Sequence, residues 1–381
     1  MHPGSSFFNE LKEVLIMKHR RLRTIISIFS LWILLIAGIA GCSDLESGTT
    51  AQRTAAQNDA SGGEDVLNVY FLDIGQGDCI AITQGDHAML IDAGDNDKGT
   101  AVQSYLNYLG IKTLDYCILT HPDADHIGGA DVVLYKFDCQ TVLMPDKEVD
   151  TRTYDDVIQA MKSKGCSAVH PEAGDTYAFG DASFTVLGPV REYSDNNNNS
   201  IVIRMTHGEN TFLFTGDAEA KAEADILEEG LTVQADVLKA GHHGSDTSTS
   251  DEFLEAVSPE YAVISCGEGN KYGHPHAETM NKFRQKGITV YRTDEQGTVI
   301  ASSDGSTITW SESPSDSWLT GEPTGSSAPA VTYILNTGSH KFHLPDCSSA
   351  EDISSSNREE SSQSREELIS EGYEPCGRCR P

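Results

Sequence analysis

The chain has 381 residues, 38% of them hydrophobic, and sets 27 Lys and Arg against 58 Asp and Glu for a formal net charge of −31. That length allows two domains and a sizeable core. So negative a surface repels polyanions at long range, which counts against a scaffold that merely coats nucleic acid; it counts less against an enzyme, because bound divalent cations invert the local field.

At the start of the chain, Lys18, Arg20, Arg21 and Arg23 precede an uncharged apolar run over 24–41 that ends in Ile39-Ala40-Gly41-Cys42. A basic start, an apolar middle and a small-residue end make a secretory signal over residues 1–41, for which Met17 is itself a conventional start. The ending resembles the lipobox of bacterial lipoproteins. That resemblance implies cleavage before Cys42, lipidation of its thiol, and a lipid-anchored place on the extracellular face of the bacterial cell membrane. An uncleaved signal anchor is the other reading, since 18 uncharged residues just span a bilayer. No other segment is long and apolar enough to cross a membrane, so no uptake channel is encoded here. Residues 1–41 carry five basic and two acidic side chains, and the remainder keeps 22 Lys and Arg against 56 Asp and Glu. Residues 42–65 are rich in Ser, Thr, Ala, Gly and Gln without apolar periodicity and read as a flexible tether.

From Val66 the pattern changes. Short strands are predicted over 66–74, 79–83 and 88–91, a helix over 102–109, a buried strand over 116–120, a helix over 127–137 and a strand over 141–144. The alternation continues to about Trp310, which predicts one α/β domain over 66–310. Residues 311–330, rich in Ser, Pro, Gly, Thr and Glu, read as a second linker, and 331–381 as a compact Cys/His module. There is no internal repeat.

The strand ending at Thr120 runs directly into His121-Pro-Asp123-Ala-Asp125-His126. Four metal-ligand side chains on one sharply bent loop can point into one cavity, and a solvated acidic turn needs neither the histidines nor the buried strand. Such a set binds hard or borderline divalent metals, and an open position on the metal makes a nucleophile of water. Asp217 follows the apolar run Phe212-Leu213-Phe214 and a Thr-Gly turn, so its carboxylate is delivered at a strand end. A carboxylate there can bridge two cations about 3.5–4 Å apart. His242 or His243, after the apolar run 235–238, supplies a further imidazole.

The motif His-x-Asp-x-Asp-His resembles the His-x-His-x-Asp-His signature of the metallo-β-lactamase superfamily, with Asp123 in place of the second histidine. That variant is typical of the hydrolase domain of ComEC competence DNA-uptake proteins. Other elements stand in the same order: Phe71-Leu-Asp73-Ile-Gly75-Gln76-Gly77-Asp78, Leu90-Ile-Asp92-Ala-Gly94, Asn196–Asn199, Phe214-Thr-Gly216-Asp217, Leu238-Lys239-Ala-Gly-His242-His243-Gly244-Ser245, Tyr272-Gly-His274-Pro275 and Thr293-Asp294-x-x-Gly297. The resemblance spans about 66–305. It implies an αββα sandwich and two divalent metal ions, zinc or manganese. His121 and Asp123 hold one, Asp125, His126 and His242 or His243 hold the other, and Asp217 bridges. Asp123 hardens the site towards manganese. The family's isolated third-motif histidine is missing, and the asparagine run occupies that stretch, either near the metal or as a polar turn. Asp73 and Asp78 either orient ligand histidines or cap turns. Lys239 reads as a phosphate contact or as a surface ion pair, and His274 as a proton donor or phosphate contact.

In the last segment, His343-Leu-Pro-Asp-Cys347 and Cys376-Gly-Arg-Cys379 pair two short ligand spacings that suit one structural tetrahedral zinc, and a module of this size needs such a staple. It resembles the zinc-binding domain of Ada-type DNA methylation-repair proteins, but His343 stands where the methyl-accepting cysteine would be, so methyl transfer is not implied. A disulfide plus a free thiol is the competing reading, and His340 is a less well spaced ligand. Arg358, Arg365, Arg378 and Arg380 would be the module's cations towards nucleic acid. Cys79, Cys117, Cys139, Cys166 and Cys266 read as core residues.

The expected activity is metal-dependent phosphodiester hydrolysis, most naturally by a surface-anchored nuclease acting on DNA or RNA. A metal-held hydroxide attacks the phosphoester, Asp125 orients it, and the oxygen-rich site favours a phosphodiester over a β-lactam. Hydrolysis of a cell-envelope phosphoester of teichoic-acid type is the second enzymatic reading. A non-catalytic DNA-binding lipoprotein that assists uptake is the third, though binding alone needs no Asp217. No sequence feature points to a protein partner.

Overall fold

A computed structural model describes residues 66–321 and 333–379, apart from 346, 362 and 364. The signal over 1–41, Cys42 and the tether lie outside the described residues, as do 322–330 of the expected second linker and Arg380.

Two large sheets form the body. The first has eight strands in the order β15-β14-β1-β2-β3-β4-β5-β6, with β1 Leu67–Phe71, β2 Ile80–Gln84, β3 His87–Ile91, β4 Thr113–Ile118, β5 Asp138–Leu143, β6 Ala168–Val169, β14 Val299–Ser303 and β15 Ile308–Trp310. The second has seven in the order β13-β12-β11-β10-β9-β8-β7, with β7 Thr176–Phe179, β8 Ala182–Gly188, β9 Val202–His207, β10 Asn210–Phe214, β11 Val237–Lys239, β12 Tyr261–Ile264 and β13 Thr289–Arg292.

Side-chain alternation builds the layers. Along β1, Leu67, Val69 and Phe71 join the inner core with Phe184, Phe212 and Phe214 from the opposite sheet, while Tyr70 turns to the outer face. That is the period of two expected of strands covered on both faces. The helices Gly99–Tyr108, Ala130–Lys136 and Arg152–Lys164 cover the first sheet through Val102, Leu106, Val133 and Val157. Ala220–Glu229, Asp251–Val257 and Ala277–Lys286 cover the second through Ile226, Phe253, Leu254 and Phe283. The result is the four-layer αββα sandwich that the motif set implied.

Strand direction places the site. β3 and β4 are parallel, with Met89 opposite Tyr116, and β10, β11 and β12 are parallel, with Phe212 opposite Val237 and Val237 opposite Tyr261. Their carboxyl ends therefore share an edge in each sheet, and the loops that leave them carry the candidate ligands. Open α/β sheets collect ligands at such edges.

Three boundaries differ from the sequence expectation. The helix expected over 127–137 is two pieces, Ala124–Ile127 and Ala130–Lys136. The loop after β3 crosses at the break, and a Cβ at Gly128 would lie 2.2 Å from the Asn96 backbone N. Residues 311–321 are docked on the sandwich instead of linking freely. Ser315 N donates to Val290 O at 2.8 Å, Gly321 N donates to Pro275 O at 3.1 Å, and Trp318 packs on the outer core. The C-terminal module, finally, is not self-contained. Its sheet has the order β18-β16-β17-β19, with β16 Tyr333–Asn336, β17 Lys341–His343, β18 Arg358–Ser361 and β19 Glu374–Pro375. Its apolar cluster of Tyr333, Leu335, Phe342, Leu368 and Ile369 takes in Ala277 of the sandwich, and the Asn281 amide donates to Ile369 O. Among the described residues, no helix is long and apolar enough to cross a membrane.

Candidate metal centre

Asp217 sits at the middle of the cluster. Its Oδ1 is 3.3 Å from His126 Nε2, and its Oδ2 is 4.0 Å from His121 Nε2, 3.6 Å from His242 Nε2 and 3.5 Å from His243 Nε2. The ligand atoms of His121, His126 and Asp217 lie within 4.8 Å of one another, and so do those of Asp125, His126 and His243. The loops after β4, β10 and β11 thus converge on one point. Asp123 joins at the rim, its Oδ2 3.7 Å from His121 Nε2 and its side chain 41% exposed.

Of the two adjacent histidines, His243 is the buried one that faces Asp125, with its Nε2 3.5 Å from Asp125 Oδ2. His242 stands outside it, with Nδ1 3.1 Å from Thr247 Oγ1 and 3.5 Å from Glu219 Oε1. Both residues have left-handed backbone, with φ of 49° and 56°. Such conformations cost non-glycine residues about 1–3 kcal/mol each and collect at functional sites.

A second layer of polar groups holds these rings. Asp92 accepts from His126 Nδ1 at 2.8 Å, from Thr120 N at 2.8 Å and from Thr120 Oγ1 at 2.6 Å. His126 therefore turns Nε2 into the cluster. Asp92 is fully buried with φ of 58°. Sequence reasoning noted its Asp-Ala-Gly motif but gave it no role; the signal was a carboxylate closing the apolar strand β3. Thr120 Oγ1 and Ser200 Oγ lie 3.2 and 3.3 Å from His121 Nδ1, and Ser200 Oγ also accepts from Asp217 N at 3.0 Å. His243 Nδ1 donates to Ser265 O at 3.0 Å, with Asp78 Oδ1 3.3 Å away. Asp73, by contrast, caps a turn by accepting from Gly75 N at 3.1 Å.

The asparagine run divides its labour. Asn196 Nδ2 donates to Asp123 Oδ1 at 2.6 Å, which brings an amide to the place beside His121 and Asp123. Asn198 Oδ1 accepts from Ala222 N at 3.1 Å, and Asn199 ties the turn to Tyr193. Only the first of the four borders the metal centre.

One expected role is corrected. Lys239 is completely buried, its Nζ 2.8 Å from Asp78 Oδ2 and 2.9 Å from Ala240 O. It is neither a surface ion pair nor within reach of a substrate phosphate, because β11 is an interior strand and its side chain points into the protein. His274 is buried beside His242 and His243, at centroid distances of 5.3 and 6.0 Å. Burial and then the neighbouring imidazoles push its pKa down to about 3, which favours the neutral ring. Gln76 Nε2, a donor only, lies 3.5 Å from His274 Nδ1, which puts the ring proton on Nε2. A hydrogen bond to phosphate stays within its chemistry.

The electrostatics fit a divalent cation. Burial alone would raise Asp217, but His126, His243 and His121 hold its carboxyl well below the usual range. Burial likewise disfavours the His126 imidazolium, yet Asp217 and Asp92 keep its pKa well above ordinary. Opposed by burial and favoured by Asp217, Asp125 and Asp78, His243 rises to about 9. Among the described residues, His121 Nε2 and Asp217 Oδ1 are buried without a hydrogen-bond partner although they face this cluster. Orphaned ligand atoms facing each other demand an explanation, and a metal ion satisfies both.

In the C-terminal module, His343, Cys347, Cys376 and Cys379 have ligand atoms all within 4.8 Å of one another. The three cysteines are free, so the disulfide alternative is absent from the structure. Leu344 N donates to Cys379 Sγ at 3.5 Å and Arg378 N to Cys376 Sγ at 3.4 Å. These N–H groups favour thiolates, and four such atoms suit tetrahedral zinc. His340 is outside the cluster, packed on Tyr373.

This chain belongs to the metallo-β-lactamase superfamily, whose family profile matches residues 72–268. Within that superfamily it is similar to part of curated competence proteins. It is 37% identical over 196 residues to ComE operon protein 3 of Bacillus subtilis (strain 168), covering 51% of this chain and 25% of that one. It is 33% identical over 245 residues to competence protein ComA of Neisseria gonorrhoeae, covering 61% and 32%. The chain thus spans about a quarter to a third of the length of these curated relatives. Among solved structures, the metallo-β-lactamase-fold protein YhfI from Bacillus subtilis aligns with a TM-score of 0.42 at 14% identity, over 63% of this chain and 100% of that one.

Proposed function

We propose that this protein is a metal-dependent phosphodiesterase, a nuclease acting on DNA or RNA, held at the outer face of the cell membrane by a lipid on Cys42. The observation that carries the reading is the place of Asp217. One buried carboxylate lies within 4.0 Å of imidazole nitrogens from His121, His126, His242 and His243, the position from which a carboxylate serves two cations. One metal would be held by His121, Asp123 and Asp217, the other by Asp125, His126, His243 and Asp217. Such cations supply Lewis acidity towards a phosphoryl oxygen and acidify water near neutral pH.

The chain's own residues do the rest. Asp92 holds the His126 tautomer, and Ser200 with Thr120 hold His121. Asp125, partly exposed at the mouth of the cluster, orients the attacking water. His274, neutral with its proton on Nε2, donates to a phosphate oxygen. The oxygen-rich ligand set, with three carboxylates, Asp123, Asp125 and Asp217, among its members, favours manganese over zinc. In the C-terminal module we assign His343, Cys347, Cys376 and Cys379 to one structural zinc.

The test is incubation with single-stranded and double-stranded DNA, RNA and bis-p-nitrophenyl phosphate in manganese, zinc or magnesium. Metal-dependent cleavage of a polynucleotide, lost in Asp217→Ala, supports the nuclease. Cleavage of the small diester alone redirects the substrate to envelope phosphoesters, and no cleavage of any of them overturns the reading.

A further inference from the structure

Tyr272 is half exposed, at 51%, on the loop between β12 and the helix Ala277–Lys286. Its ring stacks on His274 with centroids 5.6 Å apart and planes 20° from parallel. His274 in turn packs edge-on against His242 and lies 6.0 Å from His243. Two ring contacts therefore lead from a buried residue of the metal centre to a half-exposed aromatic ring. Lys271 places its Nζ 4.9 Å from the Tyr272 centroid. We infer that Tyr272 and Lys271 form a nucleobase-stacking platform at the mouth of the metal centre, which holds a nucleotide flanking the scissile phosphate. This deepens the nuclease reading and rests on it for the substrate class.

The platform is held in place before any ligand arrives. Asn270 Oδ1 accepts from Tyr272 N at 3.1 Å and from His274 N at 3.0 Å, while its amide donates to Gly267 O at 2.9 Å and His274 O at 2.6 Å. His276 Nε2 lies 3.0 Å from Tyr272 O, and His276 Nδ1 lies 3.0 Å from Asp246 Oδ1. A ring already fixed by its loop loses little conformational freedom on binding. Stacking also suits the charge of this chain. At a net −31 it draws little attraction from phosphates outside the metal centre, whereas every base offers a π-face whatever the field. Lys271 supplies one local cation for the adjoining backbone.

The experiment compares a base-bearing oligonucleotide with an abasic one of equal length. Both carry cleavage-resistant phosphorothioate links and bind the manganese-loaded full chain, followed by fluorescence anisotropy. The wild-type protein is expected to prefer the base-bearing strand by about tenfold or more. Tyr272→Ala should bring that ratio close to one, and Tyr272→Phe, which keeps the ring, should restore it. Lys271→Gln should weaken both strands alike and reduce the salt slope by about one. A ratio unchanged in Tyr272→Ala, a wild type that does not discriminate, or no binding of either strand overturns the platform. Cleavage of ordinary phosphodiester strands, run in parallel, separates the two readings. Discrimination without cleavage keeps the platform and removes the nuclease, and cleavage without discrimination does the reverse.

Discussion

Asp92 Oδ2 and His126 Nδ1 lie 2.8 Å apart, both side chains wholly buried. The carboxylate settles which nitrogen His126 turns into the metal centre, and it anchors Thr120 as well. Partners behind a metal ligand commonly govern affinity by 10–100-fold. Asp92→Asn keeps the size and removes the charge. It is expected to weaken manganese binding by about that factor, read by competition with a chelating dye. Wild-type affinity in this variant would show that His126 needs no such support.

Removing a ligand itself should have a larger effect. Asp217→Ala and His126→Ala are each expected to abolish turnover on any phosphodiester substrate while the circular dichroism of the αββα sandwich is retained. The core packs without them, through Phe71, Phe184, Phe212 and Phe214. Undiminished activity in both variants would remove the assignment of the centre.

Lys239 and Asp78 form a buried pair 2.8 Å apart. Burial opposes the Asp78 charge, but Lys239 and then His243 overcome it and hold the carboxyl at about 2, below the ordinary 3.8. A depressed carboxylate contributes stability above its unfolded pKa and loses it as pH falls through the folded value. About 2 kcal/mol should therefore be present above pH ~4 and disappear between pH ~4 and ~2. Lys239→Met leaves Asp78 buried with His243 beside it but its strongest partner gone, an expected loss of up to about 3–5 kcal/mol, and Asp78→Asn added to it should recover part. Thermal melts across pH check both. An unchanged melting point in Lys239→Met together with a raised KM would return Lys239 to the role of phosphate contact.

The C-terminal cluster makes a stoichiometric prediction. Cys376→Ser with Cys379→Ser should lower the zinc content by one per chain. Hydrogen exchange should then rise over 333–379 and on the flank of the helix Ala277–Lys286 that the module covers, where Ala277 and Asn281 meet it. Strands β1 to β5 should keep their protection. Equal zinc in variant and wild type would leave the four residues without a metal role.

Much of this was legible in the sequence because it depends on local pattern. Period-two alternation in Leu67–Phe71 and the apolar run before His121 declare strands. A loop with two imidazoles and two carboxylates in six residues declares a metal whatever surrounds it. The break at Gly128 was half legible, since Gly128-Gly129 marks a turn but does not say that the loop after β3 will cross there.

What the sequence determined by itself was the kind of chemistry: strand ends that deliver His121, Asp123, Asp125, His126, Asp217 and a histidine pair, and a His/Cys module behind them. The tertiary structure alone decided which groups meet. It turned His243 inward and His242 outward, set Asp92 behind His126, sank Lys239 against Asp78, and brought Asn196 to Asp123. The reason is physical. Ligand type is a property of side chains and is written residue by residue. Proximity between residues far apart in the chain depends on sheet register, layer packing and backbone turns, which no local stretch encodes.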